Sequence, residues 1–232
     1  MRLRMMAAAL AALVLAGCTG GSEASDGASA APSIAAADTA TLTPDQRLMA
    51  AAVTGDVASA QGAIAEGASA GAIMGWASPL HAAAHHGHAD VVQLLLDAGA
   101  SVDQTVAGDT PLHLAALSDD AATVAALVRA GADVEAGGGQ DADMTPLMIA
   151  MASGSTEAAG ALLEAGASWT IGNTWGVDPL QWAVFFGEED AIAWALAHGA
   201  DVASIEEDGT LRSEVAEEWE WPELANYLRT VE

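Results

Sequence analysis

Four of the chain's histidines lie close together, as His81, His85, His86 and His88. A neutral imidazole binds zinc or copper, and residues four apart on a helix share one face. His81 and His85 have that spacing and His86 adjoins them, so the first chemistry to weigh is a metal site on His81, His85 and His86. Little else supports it: the single cysteine is Cys18 and there is no His-Glu-x-x-His pair. Metal binding is therefore the second reading of this chain, and no cofactor is expected.

Other chemistries lack their parts. Gly137-Gly138-Gly139 has neither the lysine nor the strand-to-helix context of a phosphate cradle, so it reads as a flexible connector. No nucleophile is set on a strand-to-helix elbow, and no carboxylate pair is fixed by a defined scaffold. The acidic runs Glu188-Glu189-Asp190 and Glu206-Glu207-Asp208 lack the spacing of a calcium loop. An enzymatic role is not expected.

Charge narrows the partners. The 232 residues include 32 acids against 6 arginines and no lysine, for a formal net charge of −26. Phosphate backbones and anionic headgroups are repelled by such a surface, which argues against nucleic acid. A basic protein would be steered in at low salt.

The elements that position these residues come from a repeat. Ser78-Pro79-Leu80-His81-Ala82-Ala83 returns as Thr110-Pro111-Leu112-His113-Leu114-Ala115, as Thr145-Pro146-Leu147-Met148-Ile149-Ala150 and as Asp178-Pro179-Leu180-Gln181-Trp182-Ala183. The prolines step by 32, 35 and 33 residues, and Gly-Ala keeps phase at Gly67, Gly99, Gly131, Gly166 and Gly199. Ser78, Thr110, Thr145 and Asp178 can each accept a bond from a first-turn amide, and proline suits the first helical position. A short apolar helix follows and stops near Gly87, Asp119, Gly154 or Gly187. A second, amphipathic helix ends where Gly-Ala supplies a left-handed terminus. Polar, glycine-containing connectors of hairpin length join the units.

This pattern resembles the ankyrin repeat in both signature and period. The resemblance implies an all-α repeat solenoid, an ankyrin-type stack of helix-turn-helix units with hairpin or finger connectors, covering residues 43–232. Four clear repeats sit between two degenerate caps. Leu48-Met49-Ala50-Ala51, Gly55-Asp56 and Gly67-Ala68 fit the phase without the proline, while Arg212, Leu224, Tyr227 and Leu228 fit the last unit. Met148 and Gln181 replace the signature histidine, and the finger Glu135–Met144 is longer than its neighbours.

The resemblance also implies function: a monomeric, non-catalytic module that binds a protein through its concave face and finger tips. The contact positions it places there are Trp76, Val106, Leu117, Met144, Trp175, Phe185, Phe186 and Trp219. Seven tryptophans against two phenylalanines and one tyrosine is unusual usage. Trp175, Phe186 and Trp219 gather toward the C-terminal end, where rings flanked by acids suit an apolar, basic partner. Trp182 and Trp194 fall on core positions. His81, His88 and His113 match histidines the family uses structurally, which leaves His85 and His86 to explain.

Residues 1–17 stand apart as a signal peptide. Arg2 and Arg4 precede the apolar run Met5–Ala16, which is too short to span a bilayer as a helix. Leu15-Ala16-Gly17-Cys18 resembles a bacterial lipobox, which implies cleavage before Cys18 and its lipidation. Residues 18–42 then form a lipidated cysteine and a flexible tether, reaching about 25–30 Å as a coil. The expected location is the cell envelope, as a membrane-anchored lipoprotein facing the periplasm. Thr19, after the cysteine, favours the outer membrane if the cell is Gram-negative.

Overall fold

The structure is a computed structural model that describes residues 42–75, 77–138 and 143–201. These hold five pairs of short antiparallel helices. The inner members are α1 (Pro44–Thr54), α3 (Pro79–His85), α5 (Pro111–Leu117), α7 (Pro146–Ala152) and α9 (Pro179–Phe186). The outer members are α2 (Val57–Ala65), α4 (Ala89–Asp97), α6 (Ala121–Arg129), α8 (Thr156–Glu164) and α10 (Glu189–Ala197). The inner helices pack side by side in sequence order, and α2, α4, α6 and α8 do the same outside them. Among the described residues there is no strand; isolated antiparallel bridges Met74–Ala77, Val106–Asp109 and Gly138–Met144 close three of the fingers.

Each inner helix begins on the polar residue–proline step and places proline in its first turn. The first repeat corrects the expectation that it lacks the proline. Thr43-Pro44 opens α1, and Gln46 completes a capping box with Thr43. Outer helices end in one motif: in α4 the N–H of Gly99 bonds Leu96 O at 3.0 Å and that of Ala100 bonds Leu95 O at 3.0 Å. Gly99 holds φ 89°, a left-handed value for which glycine carries no Cβ penalty.

The core repeats with the sequence. Leu80, Leu112, Leu147 and Leu180 are buried after each proline and share one core with Leu95, Leu127, Leu162 and Ile192 of the outer helices. Removing such a side chain from water stabilises by roughly 1.5–3 kcal/mol. Ala83, Ala115, Ala150 and Ala183 are fully buried, and their small size lets neighbouring inner helices approach. The sequence-predicted caps differ in outcome. The N-terminal one is present as α1 and α2, whereas residues 202–232 lie outside the described residues, as do residues 1–41.

Candidate functional site

A hydrogen-bond ladder ties the second and third fingers to the preceding inner helices. His81 Nδ1 accepts from Ser78 Oγ at 2.7 Å, and its Nε2–H donates to Asp109 O in the next finger at 3.1 Å. His113 repeats this: Nδ1 accepts from Thr110 N at 3.1 Å and Nε2–H donates to Met144 O at 2.9 Å. These partners require the neutral ring with its proton on Nε2. Burial holds both histidines below their ordinary pKa, against the upward pull of the neighbouring carbonyls and of Asp109.

The ladder stops at Met148. Its amide still caps on Thr145 Oγ1 at 3.4 Å, but a thioether has no proton to give the next finger. Gln181 likewise keeps its cap, accepting from Asp178 N at 3.0 Å. Where the histidine link is missing, apolar packing takes over. Met144, Met148 and Trp182 form a second buried cluster, with Phe185, Phe186 and Val177 against it. The Trp182 ring stacks on Phe186 at 5.8 Å and meets Phe185 edge-on at 5.8 Å. Trp175, on the finger above, lies 6.4 Å from Trp182 and is 56% exposed.

That finger is built around Asn173. Its Oδ1 accepts the amides of Trp175 and Val177, each at 3.0 Å, which lifts Trp175 on a closed loop. Two buried donors here have no acceptor among the described residues: Asn173 Nδ2 and Trp182 Nε1. An unpaired buried donor costs roughly 1–3 kcal/mol. Just after α9, Glu188 crowds Gly154 in the turn that follows α7, where a Cβ would come within 2.7 Å of its Oε2. Burial, and then the Asp190 charge, push the Glu188 carboxyl above its ordinary range.

The structure places the expected contact residues unevenly. Trp175, Phe185 and Phe186 come together around Trp182. Val106 and Leu117 are half-buried in the second finger and at the end of α5. Met144 is corrected: it is 4% exposed, because its side chain fills the space beside Met148 and Trp182. Trp76 and Trp219 lie outside the described residues. Trp182 is buried as expected, while Trp194 is only part-buried and stacks on His198 at 4.1 Å. Asn173 escapes the sequence reading, although Gly172-Asn173 between the outer helix and Asp178-Pro179 carries the turn residues that mark a finger.

The histidines do not assemble as metal ligands. Both ring nitrogens of His81 are engaged in the ladder, and His88 Nε2 donates to Val53 O at 3.1 Å. His85 and His86 meet edge-on at 5.1 Å, and His86 stacks on His88 at 6.0 Å. Among the described residues no group of three His, Cys, Asp or Glu is placed to hold a metal ion. The connector glycines also differ from expectation. Gly138 is buried against the His113 ring, so it serves close approach rather than flexibility. Gly67-Ala68-Ser69-Ala70-Gly71 has a Gly-x-Ser-x-Gly spacing, yet Ser69 follows a helix end and its amide donates to Asp45 Oδ1 at 2.7 Å. That is a loop staple, without the strand-to-helix turn a nucleophile needs.

Fingers carried by helix pairs, a proline at each inner start and a glycine at each outer end are features of one known family. A family model described as "Ankyrin repeats (3 copies)" matches residues 48–137 and 136–205, well over half of the chain. No curated protein matches it. Ankyrin repeats are generally protein–protein interaction modules and are typically non-catalytic. By fold, repeat signature and family match, the chain belongs to the ankyrin-repeat family.

Proposed function

We propose that this protein is a non-catalytic, monomeric binding module, exported and held at the cell envelope by lipid on Cys18, that captures a basic protein partner. The observation that carries the binding surface is Trp175: an indole more than half exposed, raised on a hydrogen-bonded finger above packed rings. A rigid stack presents such groups already ordered, which lowers the entropy cost of association. Acidity supplies the steering, since the chain carries 32 acids and 6 arginines. Export and lipidation are supported by Arg2, Arg4 and the Leu15-Ala16-Gly17-Cys18 box. The periplasmic face of the outer membrane is the proposed location in a Gram-negative cell.

Two measurements test this reading. The full chain, expressed with an alkyne fatty acid, should be labelled and membrane-bound, and Cys18→Ser should abolish both. Capture from envelope extract at low salt should return a specific protein that Trp175→Ala with Phe186→Ala loses. Recovery of the same proteins by both baits would sink the proposed surface, and recovery of none would sink the binding role.

A further inference from the structure

The geometry points to the Asn173–Val177 finger and helix α9 as a receiving site for an arginine-bearing segment of another protein, whose guanidinium lies on Trp175 while its main-chain carbonyls take the N–H groups of Asn173 and Trp182. This rests on the protein-binding reading and specifies what is bound.

The unpaired donors carry it first. Asn173 is 8% exposed and Trp182 is 2% exposed, and Nδ2 of the one and Nε1 of the other have no acceptor. The amide orientation of Asn173 is fixed, because its Oδ1 takes two backbone amides. A partner that brings acceptors to both would satisfy them. Carboxylates are disfavoured by a chain of net charge −26. Peptide carbonyls are neutral acceptors that an extended segment supplies in series.

The exposed indole face and the acidity of the whole chain then select the side chain. Trp182, Phe185 and Phe186 already pack on one another with centroids 5.7–5.8 Å apart, so no gap is left between them for an inserted apolar group. What remains is the outer face of Trp175. A cation is attracted to an indole face, and a planar guanidinium stacks where an ammonium stays hydrated. The described residues place none there: Arg47 is paired with Glu66, and Arg129 Nε donates to Ala125 O on α6. Trp182 is covered, so a bound segment reaches its N–H by shifting Trp175, the least enclosed ring of the cluster.

The test uses the full chain with ¹⁵N-labelled tryptophan and asparagine, titrated with short acetylated peptides that differ only at a central Arg, Lys or citrulline. Trp175→Phe and Trp182→Phe assign the two indole signals. The arginine peptide is expected to move both indole N–H signals and the Asn173 side-chain amide. Affinity should fall about tenfold with citrulline, and about tenfold for Trp175→Ala, whose unperturbed remaining signals report an intact fold. Equal affinity for the citrulline peptide would overturn the proposal. So would binding that leaves the Trp182 signal in place, although the protein-binding role would then stand. Failure of every peptide at millimolar concentration would overturn the proposal too, and the envelope capture would decide the broader reading separately.

Discussion

The carboxylate of Asp119 sits 3.0 Å from the backbone N–H of Ala158, reaching from the end of α5 into the first turn of α8 in the next repeat. The N-cap residue of α8, Ser155, makes no cap bond of its own and turns its Oγ to Ser153 Oγ at 2.9 Å. Asp119 holds φ 55°, where the neighbouring repeats carry Gly87, Gly154 and Gly187. A left-handed non-glycine is thus kept in exchange for a cap between repeats.

Removing that cap separates its two effects. Asp119→Ala keeps the backbone strain and loses the acceptor, and should cost about 1–2 kcal/mol. Asp119→Gly loses the acceptor but relieves roughly 1 kcal/mol of left-handed strain, so its net change should be smaller. Asp119→Asn tolerates the conformation and keeps an oxygen, and should stay near wild type. Urea midpoints at constant slope check the ranking; a glycine variant worse than the alanine one would refute it.

His81 and His113 predict acid sensitivity. Their folded pKa values lie below the ordinary 6.5, because burial opposes the charged ring. Below pH 6.5 the unfolded chain takes up protons that the folded one refuses, so this stability is whole above pH 6.5 and is lost as pH falls toward the folded values. The slope approaches about 1.4 kcal/mol per pH unit for each histidine inside that window. Glu188 and Glu135, raised mainly by burial, act oppositely: their contribution is present below about pH 4.5 and lost as pH rises through the folded values. Replacing histidine by glutamine, which already fills the equivalent box at Gln181, should flatten the slope below pH 6.5 without touching the carboxylates. Equal slopes for His113→Gln and wild type between pH 5 and 6.5 would refute the assignment.

Two glycines should respond with opposite signs to alanine. A Cβ at Gly138 would run into the His113 ring, which is held from both sides. Gly138→Ala should therefore cost about 1–3 kcal/mol. Gly62 lies inside α2 with nothing near its missing Cβ, so Gly62→Ala should stabilise by about 0.4–1 kcal/mol. Thermal midpoints moving in the same direction would sink the pair.

The stack was legible because the backbone itself dictates its landmarks. Proline suits a first helical turn and glycine a left-handed end, so Pro79, Pro111, Pro146 and Pro179 with Gly99 and its partners fixed the helix boundaries before any packing was known. Thr43-Pro44 is readable in the same terms, since Pro44 opens α1 as the later prolines open their helices. The contact surface was harder because exposure depends on what the next repeat brings. Val106 and Met144 both lie in finger bridges, yet Met144 is buried since Met148 and Trp182 sit against it. Periodicity marks Trp182 as core; it cannot show that Nε1 lacks an acceptor.

Trp175 and Trp182 should divide binding from stability. Trp175 is exposed at 56%, so Trp175→Ala removes little buried area and should change stability by less than about 0.5 kcal/mol. Trp182 is packed on Phe185 and Phe186, and Trp182→Ala should cost about 3–5 kcal/mol through the cavity it leaves. Trp182→Phe is the decisive change. It keeps a ring in the stack and removes an unpaired buried N–H, a group that costs roughly 1–3 kcal/mol to leave unsatisfied. The smaller ring gives back part of that gain, so the variant should lie far closer to wild type than alanine does. Urea unfolding of the three variants checks this: if phenylalanine were as damaging as alanine, the indole N–H would have to be satisfied in the folded protein, and Trp182 would be a structural hydrogen-bond donor rather than a waiting one.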